Sequence, residues 1–132
     1  MQLNFIIPTF VLEDMEAVKG KQSFKKLSID GCCLFDDFEL NLEGSLKSEL
    51  GAIYAYMNEV ANLKSLPNNK FHFYNDQKGG YREFEFKSKH LRVYGITIKN
   101  GKLIILGGTK AKQKKDESAF RSIKKQFIES LK

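Results

Sequence analysis

Ten residues clustered in the second half of the chain have side chains suited to phosphate chemistry: Arg82, Lys87, Lys89, His90, Arg92, Tyr94, Lys110, Lys112, Lys114 and Lys115. A guanidinium holds a phosphate through two parallel hydrogen bonds and stabilises charge growing on a phosphoryl group, and an ammonium supplies a point charge. An imidazole moves protons near neutral pH, and an aromatic ring stacks on an unpaired base. The set therefore suits single-stranded RNA. Its competing reading is a basic face that binds a polyanion without chemistry, and residue types alone leave the two about even.

The charge distribution favours a polyanionic partner. Residues 1–79 carry eight lysines and no arginine against eleven carboxylates, a balance of −3, whereas residues 80–132 carry eleven lysines and three arginines against five carboxylates, a balance of +9. One strongly cationic portion on a small protein steers encounter with a polyanion and gains from counterion release. A solvated lysine surface that only confers solubility is the alternative.

Other chemistries have little support. His72 and His90 are the only histidines, and no Cys/His/carboxylate set has metal-ligand spacing. Gly107 and Gly108 follow a strand without the other elements of a phosphate-cradling loop, so close packing or a strand exit is their expected role. No nucleophile-base signature is present, and no cofactor is expected. Adjacent Cys32 and Cys33 suit neither an ordinary disulfide nor a Cys-x-x-Cys site and read as small, half-buried side chains in a reducing cytosol. The first ten residues lack a basic leader and run into Glu13, Asp14 and Glu16, and no stretch is long enough to span a bilayer. A cytoplasmic protein without membrane contact is expected.

The 132 residues, 42% apolar and 29% charged with eleven Phe and no Trp, predict one domain over 1–132 with a phenylalanine-rich core. Residues 3–7, closed by Pro8, predict an opening strand. Val11, Leu12, Met15 and Val18 have helical spacing that Gly20 ends, and residues 23–29 are left between extended and irregular. Leu34, Phe35, Phe38 and Leu42 predict a short helix joined through Gly44 to a longer amphipathic one. That second helix starts at Ser45 as N-cap, carries Leu46, Leu50, Ile53, Tyr54, Met57, Val60 and Ala61, and stops before Pro67.

After Gly79 and Gly80 the period changes to two. Residues 81–87 set Arg82, Phe84 and Phe86 on one face against Glu83 and Glu85 on the other. Two apolar runs, 91–98 and 102–106, flank Asn100-Gly101, a strong hairpin signal. A turn at those two residues sets Ile98 opposite Leu103 and Ile96 opposite Ile105, facing the core. Leu91 and Val93 have the opposite parity, which a bulge near Gly95 reconciles by bringing both sets to one side; Arg92 and Tyr94 then point to solvent. Residues 110–115 form a cationic loop, Asp116 or Ser118 caps a closing helix, and Arg121, Lys124 and Lys125 mark that helix's solvated side opposite Phe120, Ile123, Phe127, Ile128 and Leu131.

Residues 81–127, YREFEFKSKHLRVYGITIKNGKLIILGGTKAKQKKDESAFRSIKKQF, resemble the C-terminal half of the RelE/ParE toxin superfamily, in particular its phage-derived HigB-like branch. In that family a "y-E-f-R"-like strand precedes an "x-R-V-x-Y" strand, a "v-i-l-L-x-g" strand, a lysine-rich segment and a last helix. Two positions depart from the pattern: Lys87 stands where arginine is usual, and no tyrosine follows the last strand.

The resemblance implies an α+β, RelE-like, microbial-ribonuclease-like fold: a small antiparallel sheet of an N-terminal strand and a C-terminal three-strand meander, with two or three helices packed on one side. It implies the toxin of a type II toxin-antitoxin system, an mRNA interferase that cuts mRNA on the ribosome through a metal-independent attack of the ribose 2′-hydroxyl. Arg92 matches the arginine at the scissile phosphate, with His90, Tyr94 and Lys110 as further catalytic candidates. Arg82, Lys87, Lys89, Lys112, Lys114 and Lys115 are expected to bind RNA. A cognate antitoxin with an acidic segment and a helix-turn-helix domain would hold the toxin inactive. The alternatives are a ParE-like, non-catalytic gyrase inhibitor and a nucleic-acid-binding module without toxicity.

Overall fold

Alternating strands that carry bulky apolar groups in both parities leave neither face fit for water, so both faces of the resulting sheet need covering. A computed structural model, describing residues 8–74 and 80–132, has this arrangement. Strands β1 (Phe10–Asp14), β2 (Ser23–Ile29) and β3 (Cys32–Cys33) precede helices α1 (Leu34–Leu40) and α2 (Ser45–Ala61). Then come β4 (Phe71–Phe73), β5 (Glu83–Lys87), β6 (Leu91–Ile98) and β7 (Gly101–Thr109), a 3-10 turn (Lys110–Lys112) and α3 (Gln113–Ser130). The order across the sheet is β1-β2-β7-β6-β5-β4, with β3 paired to β2. Residues 3–7, the expected opening strand, lie outside the described residues.

The fold is α+β, but the sheet is mixed where an antiparallel one was expected, because β2 runs parallel to β7, with Phe24 opposite Lys102 and Lys26 opposite Ile104. The helical spacing of residues 11–18 is also overturned. Val11 and Leu12 lie in β1, whose pairing with β2 sets Asp14 beside Lys25 at 2.5 Å, while Met15 and Val18 are buried beyond the strand.

Helices cover both faces, not one. Against the first face, α1 and α2 bury Phe35, Leu50, Ile53 and Met57 over Phe24, Phe84, Phe86, Leu91, Val93 and Ile104. On the second, Phe120 and Phe127 of α3 cover Leu27, Tyr94, Ile96, Leu103 and Ile105. Each such large side chain removed from water contributes about 1.5–3 kcal/mol. Gly44, with φ of 52°, occupies the N-cap of α2, and Ser45, the expected cap, is already the first helical residue.

The β6–β7 hairpin stands near Asn100-Gly101, but its turn sits one residue earlier and its pairing two residues out of the expected register. Ile98 pairs with Gly101 and Ile96 with Leu103, so Lys99 and Asn100 form the loop, Asn100 with a φ of 61°. A bulge does fall at Tyr94/Gly95, where the pairing steps from Leu106 to Ile104. The unpaired residue is Ile105 on β7, so β6 keeps strict alternation: Leu91 and Val93 face α1 and α2, whereas Arg92, Tyr94 and Ile96 face α3. The parity conflict in the sequence thus records a sheet buried twice.

Gly107 and Gly108 do serve close packing. A Cβ at Gly107 would stand 2.5 Å from the Phe38 ring of α1, and one at Gly108 would stand 1.9 Å from Asp116 Oδ2 of α3. Among the described residues no helix is long and apolar enough to cross a membrane. Gly107→Ala should destabilise the protein by about 1–3 kcal/mol through overpacking, read as a lower urea midpoint with an unchanged slope.

Candidate nucleic-acid interface

Both strand register and a short turn bring cations to one end of the sheet. Lys87 ends β5 directly opposite Arg92 on β6, and Arg92 in turn faces Gly108 near the end of β7. The turn between β5 and β6 carries Lys89, and the Lys110 amide donates to the His90 carbonyl at 2.8 Å, which folds the segment after β7 back onto that turn. Lys70, Lys87, Lys89, Arg92 and Lys110 line one hollow of about 460 Å³, together with Tyr56 of α2. Among the described residues no carboxylate lines it, and Lys70 lies over the Tyr56 ring at 5.2 Å.

Arg92 was expected in solvent and is only 8% exposed. Its Nη1 donates to the carbonyls of Ser88 and Leu91 at 2.6 and 2.8 Å, and its Nε is buried without a hydrogen-bond partner among the described residues. Backbone carbonyls orient the guanidinium without cancelling its charge, so the group keeps its pull on an anion.

Tyr94 leaves the candidate set as a solvent-facing ring. It is fully buried, stacked on Phe120 with ring centroids 5.7 Å apart, and its hydroxyl has no hydrogen-bond partner among the described residues. Burial pushes this phenol well above its ordinary value, and the nearby Glu85, Glu117 and Asp116 charges push it further. The half-buried Tyr56 is the aromatic at the hollow. Arg82 also stands apart, at the other end of β5, with its guanidinium 4.0 Å from the centre of the Phe73 ring.

Lys110, Lys112, Lys114 and Lys115 line a second, adjoining hollow with Gln113 and Glu117. Lys110 belongs to both hollows, so the cations form a continuous strip. Residues 110–115 are not a loop: they form the 3-10 turn and the first turn of α3, whose N-cap is Lys112, with no side-chain cap from Asp116 or Ser118. Asp116 instead points back at Gly108, with its carboxyl held above the usual range by burial, which the Lys112 and Lys115 charges only partly offset.

Arg121 and Lys124 do not simply face solvent either. Both reach under α3 to Glu83, 6% exposed, at 3.0 Å each. Glu85, 2% exposed, lies 2.6 Å from His72 Nε2, 3.1 Å from the Tyr74 hydroxyl and 3.7 Å from Lys87 Nζ.

Sequence reasoning missed Glu49. This α2 carboxylate accepts hydrogen bonds from the Ser88 hydroxyl and the His90 amide, and its Oε2 lies 2.9 Å from His90 Nδ1. Burial alone would raise its pKa, but the hydrogen bonds from Ser88 and His90 outweigh that and draw it down to about 2. The only signal in the sequence was a carboxylate off the apolar stripe of α2.

A carboxyl depressed on folding adds stability that is complete above its unfolded value, near 4.5, and lost as pH falls towards 2. Glu49→Gln should therefore melt below the wild type at pH 7, with the gap closing between about pH 4.5 and 2 in thermal melts followed by circular dichroism. No protein-family model matches the chain, and no curated protein or solved structure matches it either.

Proposed function

We propose that the chain is an RNA-directed toxin of the RelE/HigB type, which cuts mRNA on the ribosome through attack of a ribose 2′-hydroxyl on the adjacent phosphate. The observation that carries this reading is the convergence of Lys87, Lys89, Arg92 and Lys110 on one hollow with no carboxylate among its described lining residues. The antiparallel run β5–β6–β7, followed by the lysine-bearing 3-10 turn and α3, is in keeping with it.

In this reading Arg92 stabilises charge on the phosphorane, while Lys87, Lys89 and Lys110 hold its oxygens and Tyr56 stacks on a base. Lys112, Lys114 and Lys115 extend the grip to flanking phosphates, and His90 moves a proton. An antitoxin with an acidic segment silences the protein by covering the strip. A nucleic-acid-binding module without chemistry is the second reading, favoured by the deep seating of Arg92 between backbone carbonyls.

Induction of the wild-type chain in cells should arrest growth and create new mRNA ends, and Arg92→Ala should relieve both. Because Arg92 also ties down the β5–β6 turn, the double substitution Lys87→Ala/Lys89→Ala provides a second check with less risk to folding; it should reduce cutting by about 10²-fold or more and flatten the salt dependence of RNA binding. Wild-type and variant chains that are equally harmless, or equally harmful, exclude the proposal. Salt-sensitive RNA binding without cuts selects the second reading.

A further inference from the structure

Residue type alone marks His90 as a proton carrier, and the fold adds what holds its ring. Glu49 grips the residue twice, accepting the backbone N–H with one oxygen and meeting Nδ1 with the other at 2.9 Å. The first oxygen, which also takes the Ser88 hydroxyl, is enough to pin the turn to α2. The second serves only the ring.

An ionised carboxylate can only accept hydrogen bonds, so Nδ1 carries the proton and Nε2 of the neutral ring keeps its lone pair. The His90 side chain is 57% exposed, and its Nε2 has no hydrogen-bond partner among the described residues. Ser88 and Lys89 of the same turn wall the cationic hollow, and His90 follows them at its rim, outside the lining itself.

We infer that Glu49 is a positioning residue that fixes His90 as the Nδ1–H tautomer and presents Nε2 as the acceptor for the ribose 2′-hydroxyl proton. The inference rests on the RNA-cutting reading above. Nε2 takes the proton as the bond from O2′ to phosphorus forms, and the bond from phosphorus to O5′ breaks. The departing 5′-oxygen takes a proton from water, leaving a 2′,3′-cyclic phosphate and a 5′-hydroxyl, and His90 later returns its proton to solvent. Nothing is oxidised or reduced.

Two measurements on the full chain test it. Long-range ¹H–¹⁵N spectra of the free protein above the imidazole transition should show His90 as the Nδ1–H tautomer. In cutting assays on ribosome-bound mRNA, below the melting range of every variant, Glu49→Gln should lower kcat by about 10- to 100-fold with KM unchanged. His90→Ala should lower kcat by about 10²-fold or more, and adding Glu49→Gln to it should cost nothing further.

An Nε2–H tautomer in a wild-type chain that cuts normally overturns the inference alone. So does an equal effect of Glu49→Gln with and without His90, which would mean that Glu49 acts through the fold. A wild-type chain that cuts no RNA overturns the functional reading, and this step with it.

Discussion

Two carboxylates inside the sheet constrain most of what surrounds them. Glu83 and Glu85 alternate with Phe84 and Phe86 on β5, so seating the phenylalanines under α2 drives the carboxylates beneath α3. A buried carboxylate left unpaired costs several kcal/mol. The structure answers with Arg121 and Lys124 from α3, His72 from the neighbouring strand and Tyr74 just beyond it. Helix α3 is thereby held by charge as well as by Phe120 and Phe127, and β4 is tied to the sheet by more than its short ladder.

The same pairing shapes the electrostatics of the sheet end. In the basic half of the chain, Glu83, Glu85 and Glu117 are directed under or alongside α3, and Asp116 packs against Gly108. What is left at the turn between β5 and β6 is a group of ammonium and guanidinium groups held by strand pairing and backbone carbonyls. Among the described residues, Glu85 comes within 3.7 Å of Lys87 Nζ from beneath the sheet, and Glu49 engages Ser88 and His90 instead of the lysines. The positive potential is a by-product of where the acids are needed for folding.

Local patterns were legible in the sequence, and pairings across distance were not. The stripe of α2, the short α1 and the hairpin all follow from periodicity and turn chemistry, and each is present, whereas the bulge lies at the expected place but on β7, and does not bring the two parities of β6 to one side. The hairpin register was misread because Gly101 seemed to belong to the turn. In fact a Cβ there would lie 2.1 Å from the Ser23 carbonyl oxygen, so this glycine answers to the close approach of β2, a neighbour invisible to local reading. Arg92 and Tyr94 were expected in solvent because one buried face was assumed, whereas α3 covers the other. Of the candidate site, Lys87, Lys89, Arg92 and Lys110 come together as the hairpin implied, while Glu49 and Tyr56 arrive from a helix far away in the chain.

The parallel pairing of β2 with β7 has a bearing on synthesis. A parallel neighbour cannot be recruited by a tight turn, and here, among the described residues, two helices and four strands separate the partners, so loop-closure entropy must be met before this ladder forms. As the polypeptide leaves the ribosome, β2 and its small N-terminal hairpin emerge with one flank open until β7 has cleared the exit tunnel. Until then the inner edge of β2 has no partner, and the cationic end of the sheet lacks both the strand that backs Arg92 and the Lys110 that follows it.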